Sequence, residues 1–382
     1  MVKKMLRSYD YTLVLAPIIL SLFGLIMIYS SSMVVAVSDK YEGTPDLFFM
    51  KQLKWLFLGI FVYIIALVFP YKAYKRLLKL IFFGAPIILL GVLLFGTTTN
   101  NATRGFLGIQ PAEFIKLGVI IYLAGVFSNK QSYIERFVPA FGPPLTFIII
   151  IFLLVYKQPD LGTGLLILAT SGMIIFCSGI RPKHLSRLIL VAVVGVMLLY
   201  PFLSDEQLGR IEAAYNPFHE EIADSNGYQL INSYIAIAAG GVTGEGLGKS
   251  IQKFGYLPEP HTDFIMAVIS EELGIFGVGF VLFMLLLMIW KGFTVAMKAN
   301  DPFGSLIAIG ISGMIGIQSI VNLGALTGLL PITGVPLPFV SYGGSSLVIL
   351  MISMGILNNI AMYSRLKGSE KQNNEEKKIA YL

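Results

Sequence analysis

Apolar runs of 18 or more residues recur along this chain, and each is long enough to cross the hydrocarbon core of a bilayer as a helix. "YTLVLAPIILSLFGLIMIYSSSMV", from Tyr11, is the first of them. Charged residues make up only 13% of the sequence, against about 25% in a soluble domain, and the mean hydropathy is +0.77. These features point to an all-α polytopic membrane protein with no separate soluble domain. The first run follows Lys3, Lys4 and Arg7, as a signal peptide would, but it lacks a small-residue cleavage site and reads as a retained span. The one cysteine, Cys177, falls inside an apolar run, so there is no disulfide framework and the thiol reads as packing.

The sequence predicts ten spans, at about 11–34, 52–70, 77–96, 113–128, 139–156, 161–179, 186–203, 263–290, 303–326 and 342–363. When Lys and Arg are assigned to alternate sides, 19 of the 28 fall on the side that carries both termini. That bias predicts two cytoplasmic ends, and it reads the net positive charge as membrane orientation rather than nucleic-acid binding. Residues 1–366 then form one membrane domain and 367–382 a disordered cytoplasmic tail, because "KGSEKQNNEEKK" is polar and aperiodic. Residues 204–262 form one long outer loop, too long to be structureless without a function. It holds two helix-like pieces, "EQLGRIEAAY" and "GYQLINSYIAIAA".

The polar residues that demand an explanation cluster on the outer side. "RGFLGIQPAEFIKLG" carries Arg104, Gln110, Glu113 and Lys116, and "YKQPDLGTG" carries Lys157, Gln158 and Asp160. The long loop adds Arg210, Gln229 and Asn232, and "GYLPEPHTDFIMAVISEELG" adds Tyr256, Glu259, His261, Asp263, Glu271 and Glu272. Charge at membrane depth is costly and marks function by default. The simpler alternative is a Glu113–Lys116 ion pair three residues apart on one helix face, with Asp160, and Thr262 or Asp263, as helix N-caps. On a continuous span, Glu271 lies about 12 Å beyond Asp263 at 1.5 Å per residue. It and Glu272 then read as structural pairs or as the lining of a polar cavity.

Two motifs are decoys. "GVTGEGLGKS" resembles a phosphate-binding loop only at Gly248, Lys249 and Ser250, with Thr243 where the first glycine belongs and no preceding strand. The three histidines, His184, His219 and His261, have no metal-ligand spacing. "LTGLLPITGVPLPFVSYGGSSLV" is different. Its prolines and glycines break the path between spans nine and ten, and irregular backbone at that depth survives only when buried in protein or lining a cavity. Ser341, Gly343, Gly344 and Ser345 then open span ten, whose helix N-terminus suits an anion such as a lipid pyrophosphate. Serine capping is the plainer alternative.

"IQPAEFIKL", "QPDLGTG", "LPEPHTDFIMAVISEELG" and "GLLPITGVPLPFVSYGGSS", in this order, resemble the shape, elongation, division and sporulation (SEDS) family, the RodA/FtsW group. The resemblance covers nearly the whole chain. "GKSIQKFGYLPE" is closer to the division (FtsW) branch than to the RodA branch. The resemblance implies a ten-span enzyme of the bacterial plasma membrane that polymerises lipid II for cell division or cell shape. It would work with a cognate class B penicillin-binding protein among other divisome or elongation-complex membrane proteins. It makes Asp263 the essential aspartate and Glu113, Lys116 and Asp160 functionally important. "ATRGFLGIQPAEF" is shorter than the usual form and has no Trp after the arginine, which loosens the match of Arg104.

The implied reaction needs a carboxylate to accept a hydroxyl proton and positive charge beside a leaving pyrophosphate. Asp263 is the expected base. Lys116, Arg210 and Arg104 are the expected pyrophosphate partners, with Gln229, His261, Ser341, Gly343, Gly344 and Ser345 as further substrate contacts. Glu113 and Asp160 would orient Lys116 or, with Asp263, hold Mg²⁺ or Mn²⁺; no organic cofactor is expected. A lipid II flippase and a non-enzymatic scaffold remain as rival readings. The first shares broken helices and buried carboxylates, and the second does not explain the clustered ionisable groups.

Overall fold

The computed structural model describes residues 7–38, 43–99, 102–105, 108–129, 137–219, 222, 225 and 227–380. In chain order these form α1 (Tyr11–Val37), α2 (Leu47–Val68) and a 3₁₀ turn (Tyr71–Leu77) leading into α3 (Leu78–Phe95). A short antiparallel hairpin of β1 (Thr97–Thr99) and β2 (Ala102–Gly105) follows. Then come α4 (Pro111–Asn129), α5 (Phe137–Tyr156), α6 (Leu161–Cys177), α7 (Pro182–Leu199), α8 (Asp205–Tyr215) and α9 (Tyr228–Gly240). The chain ends in α10 (Ile265–Lys298), α11 (Pro302–Leu326) and α12 (Gly344–Ala380). Among the described residues nine helices are long and apolar enough to cross a membrane, and α6 is a shorter apolar tenth. The ten expected spans therefore each have a helix. α8 and α9 are the two helical pieces expected in the long loop, and Ser204 opens α8 with a reciprocal capping box to Gln207.

The bundle is layered around its last two long helices. The apolar window of α12 is 94% buried, and those of α4 and α11 are 72% and 67% buried, whereas that of α3 is 17% buried. α7 buries none of its described residues. Small residues allow the central contacts. A Cβ on Gly355 of α12 would lie 2.7 Å from the Cβ of Ala66 on α2, and one on Gly344 would lie 2.3 Å from the Trp55 ring.

The start of α1 meets the middle of α12 at one end of the bundle. Asp10 caps α1 through the Thr12 N–H and pairs with Arg365 on α12 (2.5 Å) and Lys291 on α10 (3.4 Å). Asn358 and Asn359 of α12 bond the backbone at Asp10, Leu67 and Tyr71 nearby. Burial pushes the Asp10 carboxyl up, but Arg365, Lys291 and the Thr12 N–H outweigh it, so its pKa lies below the ordinary 3.8. A depressed carboxyl contributes stability above its unfolded pKa and loses it as pH falls through the lower folded value. The thermal-midpoint advantage of wild type over Asp10→Asn in detergent is therefore expected to be constant near neutrality and to shrink below about pH 4. A midpoint difference independent of pH would contradict it.

One expectation is corrected. Span eight is not one continuous helix, because Gly274 breaks α10 at φ 59°, ψ −150°. Its Cα sits against the backbone of Val242 and Gly244, where a Cβ would be 2.5 Å from the Gly244 nitrogen, so only glycine serves here. Glu271 and Glu272 thus lie on a short segment, Ile265 to Leu273, and not partway down a long span. α12 runs on as helix to Ala380, and the Glu, Lys and Gln of that stretch are good helix formers.

Candidate active site

At the bundle end opposite Asp10, a cavity of about 500 Å³ collects side chains from distant parts of the sequence. α2 contributes Phe48 and Trp55, the start of α4 contributes Glu113, and the start of α6 contributes Asp160 and Thr163. The segment before α10 contributes Glu259, His261, Thr262 and Asp263, and the start of α12 contributes Gly343 to Ser346.

Each carboxylate is held differently. Glu113 is 6% exposed, and one oxygen meets the Lys116 ammonium at 2.9 Å. Its other oxygen is buried without a hydrogen bond. Lys116 also donates to Gln318 of α11 at 3.4 Å, and Gln318 in turn donates to the Pro336 carbonyl. Asp160 caps α6, accepting from the Thr163 N–H (3.3 Å) and hydroxyl (2.9 Å), so the capping alternative holds for it. Asp263 is half-buried and does not cap α10, whose N-cap is Phe264 with no side-chain bond. Thr262 turns back to Glu259 instead. The capping alternative fails at both of these residues.

The backbone around Asp263 is pinned. Its carbonyl accepts from Asn322 of α11 at 2.9 Å, and Asn322 also bonds Val335 in the broken loop. The Ser341 hydroxyl donates to the Thr262 carbonyl and accepts the Leu337 N–H, while the Tyr342 N–H donates to the His261 carbonyl. The His261 ring clusters with those of Phe48 and Tyr342, at centroid distances of 4.4 and 5.5 Å, and the latter two rings also meet edge to face at 5.2 Å. Glu259, at φ 52°, makes the turn in a left-handed conformation uncommon for a residue with a side chain.

Of the residues singled out from sequence, Glu113, Asp160, His261, Asp263, Gly343, Gly344 and Ser345 line this cavity, with Lys116 directly behind Glu113. Four others do not. Arg210 pairs with Glu206 at 2.7 Å and lines a separate, mainly apolar pocket between α6, α8 and α11; its helix simply packs elsewhere. Gln229 sits half-buried on α9 and lines neither pocket. Ser341 is engaged in holding the loop together. Arg104 lies on β2, but its side chain is outside the described residues. Gln158 bonds the Leu89 carbonyl on α3. Reasoning from sequence missed Phe48, Trp55, Gln318 and Asn322. They look like ordinary span residues, and only the polarity of Gln318 and Asn322 inside an apolar run could have flagged them.

Among the described residues no three His, Cys, Asp or Glu side chains stand close enough to hold a metal ion. Glu113, Asp160 and Asp263 share the cavity, but Glu113 is engaged by Lys116 and Asp160 by α6. The donor set does not fit a three-carboxylate Mg²⁺ or Mn²⁺ site. Among its described lining residues there is also no Lys or Arg.

The comparisons with known proteins agree with this architecture. The model of the cell cycle protein family FtsW/RodA/SpoVE matches residues 11–366. A probable peptidoglycan glycosyltransferase FtsW of Bacillus subtilis is 49% identical, covering 97% of this chain and 95% of that protein. Stage V sporulation protein E of the same organism is 40% identical, covering 94% and 98%. Among solved structures, RodA of Thermus thermophilus, the rod shape determining protein, aligns at TM-score 0.68 with 25% identity, covering 92% and 96%. A chain from "Structural coordination of polymerization and crosslinking by a peptidoglycan synthase complex" aligns at TM-score 0.75 with 24% identity, covering 93% and 98%. With its fold, its ordered motifs and nearly its entire length accounted for, this chain belongs to the FtsW/RodA/SpoVE family of multi-pass membrane proteins.

Proposed function

We propose that this protein is a peptidoglycan glycosyltransferase of the FtsW kind that joins lipid II units into glycan strands at the outer face of the plasma membrane. One observation carries the reading. Asp263, on a segment pinned by Asn322, Ser341 and Tyr342, borders a cavity shared with the buried Glu113–Lys116 pair and the start of α12. The opposite end of the bundle is tied by the Asp10, Asn358 and Asn359 network, which favours one-sided chemistry over carriage across the membrane. Nineteen of the 28 Lys and Arg on the side of the termini support an outward-facing cavity.

In the proposed step, the 4-hydroxyl of a GlcNAc in the acceptor attacks C1 of the MurNAc in the donor. The new C1–O4 bond forms as the bond from C1 to the pyrophosphate oxygen breaks, with inversion from α to β. The hydroxyl proton passes to Asp263, and the bonding pair leaves with undecaprenyl pyrophosphate. The positive end of α12, at Gly344 and Ser345, faces the developing phosphate charge. Lys116 holds one oxygen of Glu113 and fixes that side chain at the cavity wall. No step is routed through a divalent ion.

The likeness to a chain of a peptidoglycan synthase complex supports a class B penicillin-binding protein as partner, and the 49% identity to FtsW supports a division role. Purified protein is expected to form a ladder of strands from labelled lipid II with its cognate partner present. No strands under those conditions, with lipid II translocation in liposomes instead, would move the assignment to a flippase.

A further inference from the structure

A fully buried ion pair lies outside the cavity and outside the mechanism above. Lys253 and Glu272 both have 0% side-chain exposure, with Nζ and Oε1 2.8 Å apart. The ammonium also donates to the Gly248 carbonyl (2.7 Å) and to Ser30 of α1 (3.2 Å), and the Ser30 hydroxyl donates to Glu272 at 2.7 Å. The neighbouring Glu271 accepts from the Ser250 hydroxyl (2.5 Å) and from the N–H groups of Ile251 (2.7 Å) and Gln252 (3.4 Å). Two adjacent glutamates on the short segment before Gly274 therefore grip residues 250–253 side by side. The gripped residues read "SIQK", and Ser250 is the one they share with the "GLGKS" stretch that resembled a phosphate loop.

Burying two charges costs several kcal/mol per ion even after relaxation, so such a pair is weak evidence for stability as such. Its position is more telling. Lys253 stands ten residues before Asp263, and the Leu257 N–H turns back to the Gln252 carbonyl at 2.8 Å. The intervening chain is thus anchored at 250–253 by Glu271 and Glu272, and at 261–263 by Tyr342, Ser341 and Asn322. We infer that Lys253 and Glu272 are a positioning pair. They fix the upstream anchor of the segment that presents Asp263 to the cavity, and Ser30 ties that anchor to α1. The inference rests on the reading of Asp263 as the base. A displacement of about 1 Å at a reacting group is enough to cost on the order of 10²-fold in rate.

The test compares Lys253→Met, Glu272→Gln and the double variant Lys253→Met/Glu272→Gln in the full chain with its partner. Strand formation gives kcat and KM for lipid II, and hydrogen exchange is followed along the chain. Either single variant leaves a buried partner uncompensated and can unfold, so the double variant decides. It is expected to keep wild-type exchange in α4, α11 and α12 while residues 250–262 exchange at least about tenfold faster. Its kcat is expected to fall at least about tenfold, with KM within about twofold. The inference is overturned if the double variant regains wild-type kcat, if exchange in 250–262 stays at the wild-type level, or if protection is lost across the whole bundle. Wild-type protein that makes no strands would defeat the polymerase reading, and the exchange of 250–262 would still decide whether the pair anchors this segment.

Discussion

Asp263→Asn is expected to lower the rate of strand formation by about 10²–10⁴-fold, the range a general base contributes, with the fold intact. The backbone secures this residue: Asn322 bonds its carbonyl, and the N-cap of α10 is the next residue, Phe264. Asparagine keeps the shape and the backbone bond and removes the proton acceptor, and Asp263→Ala removes the side chain altogether. Lipid II binding should be retained in both, since the step lost is proton transfer in the transition state, and a fall in kcat at nearly constant KM is the signature. Strand formation within about threefold of wild type for Asp263→Asn would remove it from the role of base.

Lys116→Met is expected to be among the most destabilising single changes near the cavity. It takes away the ammonium paired with the Glu113 Oε1, and the Glu113 Oε2 already has no hydrogen bond among the described residues. A carboxylate with 7% side-chain exposure would then be buried without compensation, at a cost of about 3–5 kcal/mol. Thermal unfolding in detergent checks this, and the double variant Glu113→Gln/Lys116→Met separates structure from chemistry. With both charges removed, most of the lost stability should return. Strand formation should not, because the charged pair at the cavity wall is gone. A double variant with near wild-type activity would reduce the pair to a packing device.

Much of this protein was legible in one dimension. Hydrophobic length alone located ten spans, because a bilayer leaves the backbone almost no choice but helix. The motif at Gly255 to Gly274 exposed its importance by carrying carboxylates where apolar residues are cheaper to bury. Glu113 and Lys116, three residues apart on one helix, announced their pairing, and Asp160 before "LGTG" announced its cap. Where local pattern was read as geometry, the structure sorts the residues differently. Arg210 was grouped with Asp263 because both are charged and on one side of the membrane, yet α8 carries it to a different pocket. Ser341 looked available to a ligand, yet its hydroxyl already joins Thr262 to Leu337.

What the sequence determined by itself was the number of crossings, the side to which charge is biased and the residue types concentrated at one mouth, all of which follow from transfer free energies and helical period. What only the tertiary structure decided was which of those residues meet. A helix break at Gly274, a loop folded back against α2 and α11, and a lysine buried against Glu272 each depend on close approach between segments up to hundreds of residues apart. Such approaches are set by side-chain packing and by the need to satisfy every buried polar group, and no local pattern along the chain encodes them.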